Sequence, residues 1–221
     1  MRSILIALPL VIATPAIAQD EDSELWLSGS GEVSVGERTS VEVESINRFS
    51  DDAGGLYEIE LAAGVEQQVG NGWWVGGGYV RVVNYSRGTV TRTEDRFRVQ
   101  GGASTDAGPF KLSARLRLER RTRSNGDDIG YRLRPSVKLA LPLGDSAFRL
   151  FASHESFIPL NDTDWGERSG HDRMRNAAGI SWKASKAIGV EAGYLNQYRF
   201  ARGAPQGTMD HVLTLSLGVS L

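Results

Sequence analysis

His211-Val212-Leu213-Thr214-Leu215-Ser216-Leu217-Gly218-Val219-Ser220-Leu221 closes the chain, and its alternation decides how the remainder is read. Side chains of a strand point to its two faces in turn, so Leu213, Leu215, Leu217, Val219 and Leu221 share one apolar ridge. Thr214, Ser216, Gly218 and Ser220 make the opposite face small and polar. The end of a soluble domain usually frays. A long terminal strand with an unbroken oily edge fits a barrel wall that turns one face to hydrocarbon.

Upstream of this tail the same pattern recurs. The alternating segments are Leu25–Val35, Ser40–Phe49, Leu56–Val69, Trp73–Tyr85, Thr91–Ala103, Phe110–Arg121, Ile129–Leu143, Ala147–Phe157, Arg173–Ala184 and Ile188–Phe200. A typical soluble strand has roughly 5 to 6 residues, whereas a tilted membrane strand needs about 10, which most of these reach or exceed. Tight links separate some of them: Gly36-Glu37-Arg38, Gly70-Asn71-Gly72, Asp106-Ala107-Gly108, Gly144-Asp145-Ser146 and Ser185-Lys186-Ala187. Longer polar links stand between, notably Ile158–Asp172 and Ala201–Thr208, the latter with Gly203, Pro205 and Gly207. Short periplasmic turns and long external loops are the usual asymmetry of outer-membrane barrels. Trp73, Tyr131, Tyr194, Tyr198 and Phe200 fall near the ends of the oily faces, as interfacial aromatics do.

The expected fold is therefore all-β, a transmembrane antiparallel β-barrel meander of about ten strands. Bacterial single-chain barrels have even strand numbers. The ten run from Ser40 onward, with Leu25–Val35 in the lumen, folded back or partly paired; twelve strands is the alternative. A soluble secreted β-domain that binds a partner is the competing class, since parity alone does not say which face points outward.

Residues 1–18 read as a secretion signal, with Arg2, a short apolar stretch from Ile4 to Ala13, and Ala16-Ile17-Ala18 ahead of Gln19. Residues 19–221 then form a single β-barrel domain, exported to the outer membrane of a diderm (Gram-negative) bacterium. Cysteine is absent, which excludes disulfides and thiolate metal sites. A closed barrel does without both by pairing every backbone group. Mean hydropathy is slightly negative, as expected when only alternate residues touch lipid.

If the oily faces meet lipid, the opposite faces line the lumen. They carry Glu42 and Glu44, then Glu58 and Glu60, then Arg115 and Arg117, Arg132 and Arg134, Arg149 and Glu155, Arg173 and Arg175, and finally Glu191 and Arg199. Charge is segregated along the chain: residues 19–108 hold 16 acidic and 7 basic groups, and residues 109–221 hold 11 and 17. One lumenal wall is thus expected to be acidic and the facing one basic. Two roles follow: a structural Arg/Glu lattice that fills a narrow barrel, or a narrow passive, porin-like channel with a transverse field.

Leu25-Trp26-Leu27, Arg48-Phe49-Ser50-Asp51-Asp52, Glu155-x-Phe157 with Asn161, Arg173 and Arg175 before Gly179, and Gly193-Tyr194-Leu195-Asn196-Gln197-Tyr198 before His211-Val212-Leu213 resemble the bacterial family known as domain of unknown function 2490. The resemblance covers nearly the whole of residues 19–221 and implies an outer-membrane barrel architecture without an assigned reaction. Leu221 departs from the aromatic residue with which many outer-membrane proteins end.

The catalytic candidates are His154, Ser156 and Glu167. His154 and Ser156 lie two residues apart on the oily face of one strand, the spacing of a base and a nucleophile, with Glu167 in the next loop to orient the imidazole. The His-x-Ser pair resembles that of the outer-membrane lipid A deacylases, with Phe157 where that family tends to have Asn, and makes a lipid-modifying hydrolase the alternative function. His154, His171 and His211 have no metal-ligand spacing, and Asp162, Asp164 and Glu167 read as a solvated loop, so no metal or cofactor is expected. Gly76-Gly77-Gly78 suggests close packing within a strand, and Pro135 a bulge that aims Arg132 and Arg134 into the lumen. The expected partners are outer-membrane lipid and the barrel insertion machinery, with no nucleic acid, for a monomer.

Overall fold

Eleven strands follow one another in the computed structural model, which describes residues 20–202 and 206–221. They are β1 (Asp20–Ser34), β2 (Thr39–Ser50), β3 (Gly55–Gly70), β4 (Trp73–Ser86), β5 (Thr89–Ala107), β6 (Phe110–Arg123), β7 (Gly130–Pro142), β8 (Phe148–Pro159), β9 (Arg173–Lys183), β10 (Ile188–Arg199) and β11 (Thr208–Ser220). Each alternating segment of the sequence forms one of them. The secretion signal assigned to residues 1–18, and Gly203 and Pro205, lie outside the described residues.

Every strand pairs antiparallel with its chain neighbours, and the sheet closes on itself where β1 runs parallel to β11. That ladder extends from Asp20 beside Thr208 to Glu32 beside Ser220. The first segment is therefore a full wall strand, where the sequence suggested a lumenal, folded-back or partly paired one. An even count is required only if every pair is antiparallel; one parallel seam closes an odd number and leaves no edge with unpaired backbone groups. Both seam strands start at the same end of the barrel, the end that carries the 160–172 and 200–207 connections. The other connections at this long-loop end are shorter: Arg87 (φ 51°) and Gly88 (φ 78°) join β4 to β5 in a left-handed two-residue turn.

Register fixes which face looks out, because a slip of one residue would turn every side chain over. Along β11, Leu213, Leu215, Leu217 and Leu221 are exposed, while Val212 and Asp210 are buried in the interior. The same holds around the wall: Leu61, Val99, Leu116, Leu139 and Leu150 face outward. Trp73, Phe110, Phe148 and Trp182 ring the outward face at the short-turn end, with Trp182 stacked on Phe148 at 6.0 Å.

Two local features depart from ordinary strand packing. The glycines of β4 lie flat beneath their neighbours: a Cβ on Gly78 would stand 2.5 Å from the Ala63 carbonyl oxygen and 3.2 Å from Arg98 Nε. Gly78→Val is expected to lower unfolding free energy by about 1–3 kcal/mol, seen as a lower urea midpoint in detergent. At Pro135 there is no bulge. Leu133 opposite Ile158 and Ser136 opposite Glu155 keep one register, and only the rungs at Arg134 and Pro135 are missing from the β7–β8 ladder. Arg132 and Arg134 reach the lumen by simple alternation, without the redirection expected of a bulge.

Candidate functional site

Inward-facing residues of the long-loop half build a lattice of arginine and glutamate. Glu94 on β5 is 2 % exposed and accepts from Arg96 Nε (2.6 Å), Arg121 Nε (2.6 Å) and Arg123 Nε (2.7 Å). Glu119 on β6 is fully buried and accepts from Arg132 (2.5 Å) and Arg134 (2.7 Å). Arg134 also bonds Glu155 (3.0 Å), which accepts from Arg115 (2.6 Å). Glu60 takes Arg96 across the width of β4 (3.1 Å), and Arg48 pairs with Glu58. Neighbouring strands thus share their charges in a continuous belt, which is the condition for burying them at all.

Aromatic rings carry this belt across the lumen. Trp26 on β1 lies between the guanidinium of Arg48, 4.4 Å from its ring centre, and that of Arg175 on β9, at 4.5 Å. Arg175 continues to the Phe157 ring at 4.6 Å, where Arg134 also lies at 4.4 Å. Planar guanidinium groups stack on aromatic faces while keeping their edges for hydrogen bonds; Arg175 Nε donates to Gln197 at 2.8 Å. A cavity of about 350 Å³ remains above, lined among others by Arg92, Arg123, Arg173 and Arg199. From the 160–172 connection, Trp165 turns inward beneath Arg123 (4.1 Å), and Glu167 pairs with Arg121.

The short-turn half is more open. Lys138 reaches Glu191 on β10 at 2.6 Å, with both side chains partly exposed. Glu66 accepts from Gln100 at 2.9 Å, and Arg117 donates to the same Gln100 at 2.7 Å. Among the described residues Glu42 and Glu44 hold no ion pair, nor does the buried Arg98. Glu42, Glu44, Glu58, Glu60, Arg115, Arg117, Arg132, Arg134, Arg149, Glu155, Arg173, Arg175, Glu191 and Arg199 all sit at inward register positions. Four of the six acidic positions lie on β2 and β3 and seven of the eight basic ones on β6 to β9, while Glu155 stands on β8 among the arginines and Glu191 and Arg199 share β10.

On the outward face of β8 and β9 a separate constellation forms. His154 Nε2 lies 3.0 Å from Ser156 Oγ, and His154 Nδ1 lies 2.8 Å from Oδ1 of Asn176 on β9. Glu167, the expected orienting group, is committed to Arg121 inside the barrel; Asn176 holds that position, because β8–β9 pairing sets His154 directly opposite it. No spacing rule marks Asn176, since its partner depends on register between strands. The three histidines stay apart, and among the described residues no group of His, Asp or Glu side chains is arranged to hold a metal ion. Asp162, Asp164 and Glu167 do not converge either. Asp162 accepts from the Ser169 N–H (2.7 Å), which holds its carboxyl below the usual range, and Asp164 accepts from the Asp127 N–H (2.8 Å).

Comparison with known proteins gives the same architecture a family. An uncharacterized protein of Methylorubrum extorquens is 34 % identical over 223 residues, covering 98 % of this chain and 96 % of that one. Among solved structures, a loop L8 deletion mutant of OmpT, an outer membrane protein of Vibrio cholerae, aligns with a TM-score of 0.40 and 15 % identity, over 72 % of this chain and 56 % of that chain. A family profile described as "Protein of unknown function (DUF2490)" matches residues 23–208, and the chain belongs to that family.

Proposed function

We propose that the protein is an integral barrel of the outer membrane whose lumen is a closed ionic core, so that its working surface is the wall that meets lipid. The supporting observation is the inversion of polarity: Leu217 is 50 % exposed on the outer wall while Glu119 inside is 0 % exposed. An exposed apolar surface that continues round a whole barrel is far beyond what a soluble monomer carries. From Leu213 to Leu221 the ridge runs about 27 Å along the strand, or roughly 20 Å of depth at a tilt of about 45°. In this setting the short turns face the periplasm, the 160–172 connection faces outward, and β1 begins at the external mouth.

The ion pairs of Glu60, Arg96 and Glu94, with the stack from Arg48 over Trp26 to Arg175 and Phe157, cross the lumen in its long-loop half. A solute would have to part several ion pairs at once, which favours a structural lumen over a passive pore. Planar-bilayer recording tests this. The unmutated protein is expected to pass no steady current, and the double variant Arg115→Gln, Arg134→Gln to show opening events as the bridge to Glu155 is lost. A stable open current in the unmutated protein, with ion selectivity altered in the double variant, would instead establish a charged channel.

A further inference from the structure

We propose that Ser156, His154 and Asn176 form a nucleophilic relay on the outer wall, and that the barrel hydrolyses fatty-acyl esters of outer-leaflet lipids. This rests on the membrane placement proposed above. The order of the hydrogen bonds carries the inference. Asn176 Oδ1 can only accept, so His154 Nδ1 holds the proton that faces it at 2.8 Å. Nε2 is left with its lone pair toward the Ser156 hydroxyl at 3.0 Å, the arrangement in which an imidazole can take a serine proton. Other polar residues on this face form separate clusters: Asp95 takes both Arg81 and Tyr79, and His211 lies between the Tyr194 phenol and Glu21. The His154 trio differs from the Tyr194–His211–Glu21 cluster in setting a serine hydroxyl, an acyl-transfer nucleophile, against the imidazole.

The backbone beside the serine is also unusual. Phe157 O accepts from the Asp172 N–H at 2.9 Å, so Phe157 directs its backbone groups to β9. Successive residues of an antiparallel strand do this in turn, so Ser156 directs its own N–H and C=O to β7. There it meets Pro135, which has no N–H, and the rungs at Arg134 and Pro135 are absent. The Ser156 carbonyl therefore lacks a ladder donor from β7, and the sheet is locally unpaired beside the nucleophile. Below the trio, Ala152, Leu150 and Phe148 continue the outward face of β8, a path for an acyl chain lying in the leaflet.

Ser156 Oγ attacks the ester carbonyl carbon, forming a C–O bond while its proton passes to His154 Nε2. Collapse of the tetrahedral adduct breaks the bond to the alkoxy oxygen of the lipid, which takes that proton and departs as the alcohol. Water, the second substrate, then attacks the acyl-Ser156 carbonyl and gives a proton to Nε2. The Ser156 Oγ–acyl bond breaks, the proton returns to Oγ, and the fatty acid leaves. Asn176 is a positioning residue that holds the tautomer.

The purified full-length protein is incorporated into vesicles of phosphatidylglycerol or of lipid A, checked by co-flotation, and released fatty acid is measured by mass spectrometry. Release is expected from the unmutated protein and is lost by at least about 10³-fold in Ser156→Ala and His154→Ala. Asn176→Ala is expected to lower kcat with KM unchanged, and Asn176→Asp to restore it. A fluorophosphonate should label the unmutated barrel and not Ser156→Ala. The vesicle type that yields fatty acid identifies the ester source. Flotation without release from either lipid, or equal release by Ser156→Ala, overturns the relay and leaves the membrane placement standing. Failure to float overturns the placement itself.

Discussion

Glu94→Ala is expected to lower unfolding free energy by about 3–5 kcal/mol, the cost of leaving buried charges without their counterion. Three guanidinium groups converge on that one carboxylate, and Glu94 is almost completely enclosed. Truncation leaves Arg96 with Glu60 and Arg121 with Glu167, while Arg123 keeps only its stacking on Trp165. Glu191→Ala is the internal comparison. Its pair with Lys138 is well hydrated, and loss of such a pair costs about 1 kcal/mol or less. Urea unfolding in detergent micelles reads both; a Glu94→Ala loss no greater than that of Glu191→Ala would show that the belt adds nothing to the fold.

Leu217→Arg carries the second large effect, of opposite character. Leu217 lies at the middle of the exposed ridge of β11, and an arginine on a lipid-facing strand near the bilayer centre costs about 2–4 kcal/mol. On a wall bathed by water the same change would stay within about 0.5 kcal/mol, since exposed surface substitutions rarely do more. Refolding into vesicles and unfolding by denaturant distinguishes the two. Leu217→Ala, which removes bulk without adding charge, separates the cost of burying a cation from that of losing contacts.

Much of the architecture was legible from alternation because a strand's local pattern separates its two faces, and strand length with loop asymmetry suggests which of them meets lipid. Alternation sorted residues such as Glu42, Arg115 and Arg199 onto one face and the ridge from Leu213 to Leu221 onto the other, but it did not single out Glu94 or Arg123. What escaped depends on long-range register. The β1–β11 seam joins residues nearly two hundred positions apart, and no local signal distinguishes a parallel neighbour from an antiparallel one. Trp26 reads as one more alternating residue of the first segment; its place between Arg48 and Arg175 appears only when the sheet closes. His154 and Ser156 share a face by their spacing, whereas Asn176 joins them through the pairing of β8 with β9, and Glu167 is drawn inside by Arg121, a partner that lies 46 residues away.

The absence of native cysteine means that a single introduced one carries a single label. Nitroxides placed at Leu217→Cys and at Glu44→Cys, in protein reconstituted into lipid vesicles, test the polarity of the wall most directly through collision with oxygen and with a water-soluble nickel complex. The expected result is strong oxygen and negligible nickel broadening at position 217, with the reverse balance at position 44. Equal access of the nickel complex to both positions would contradict an outer wall that faces hydrocarbon.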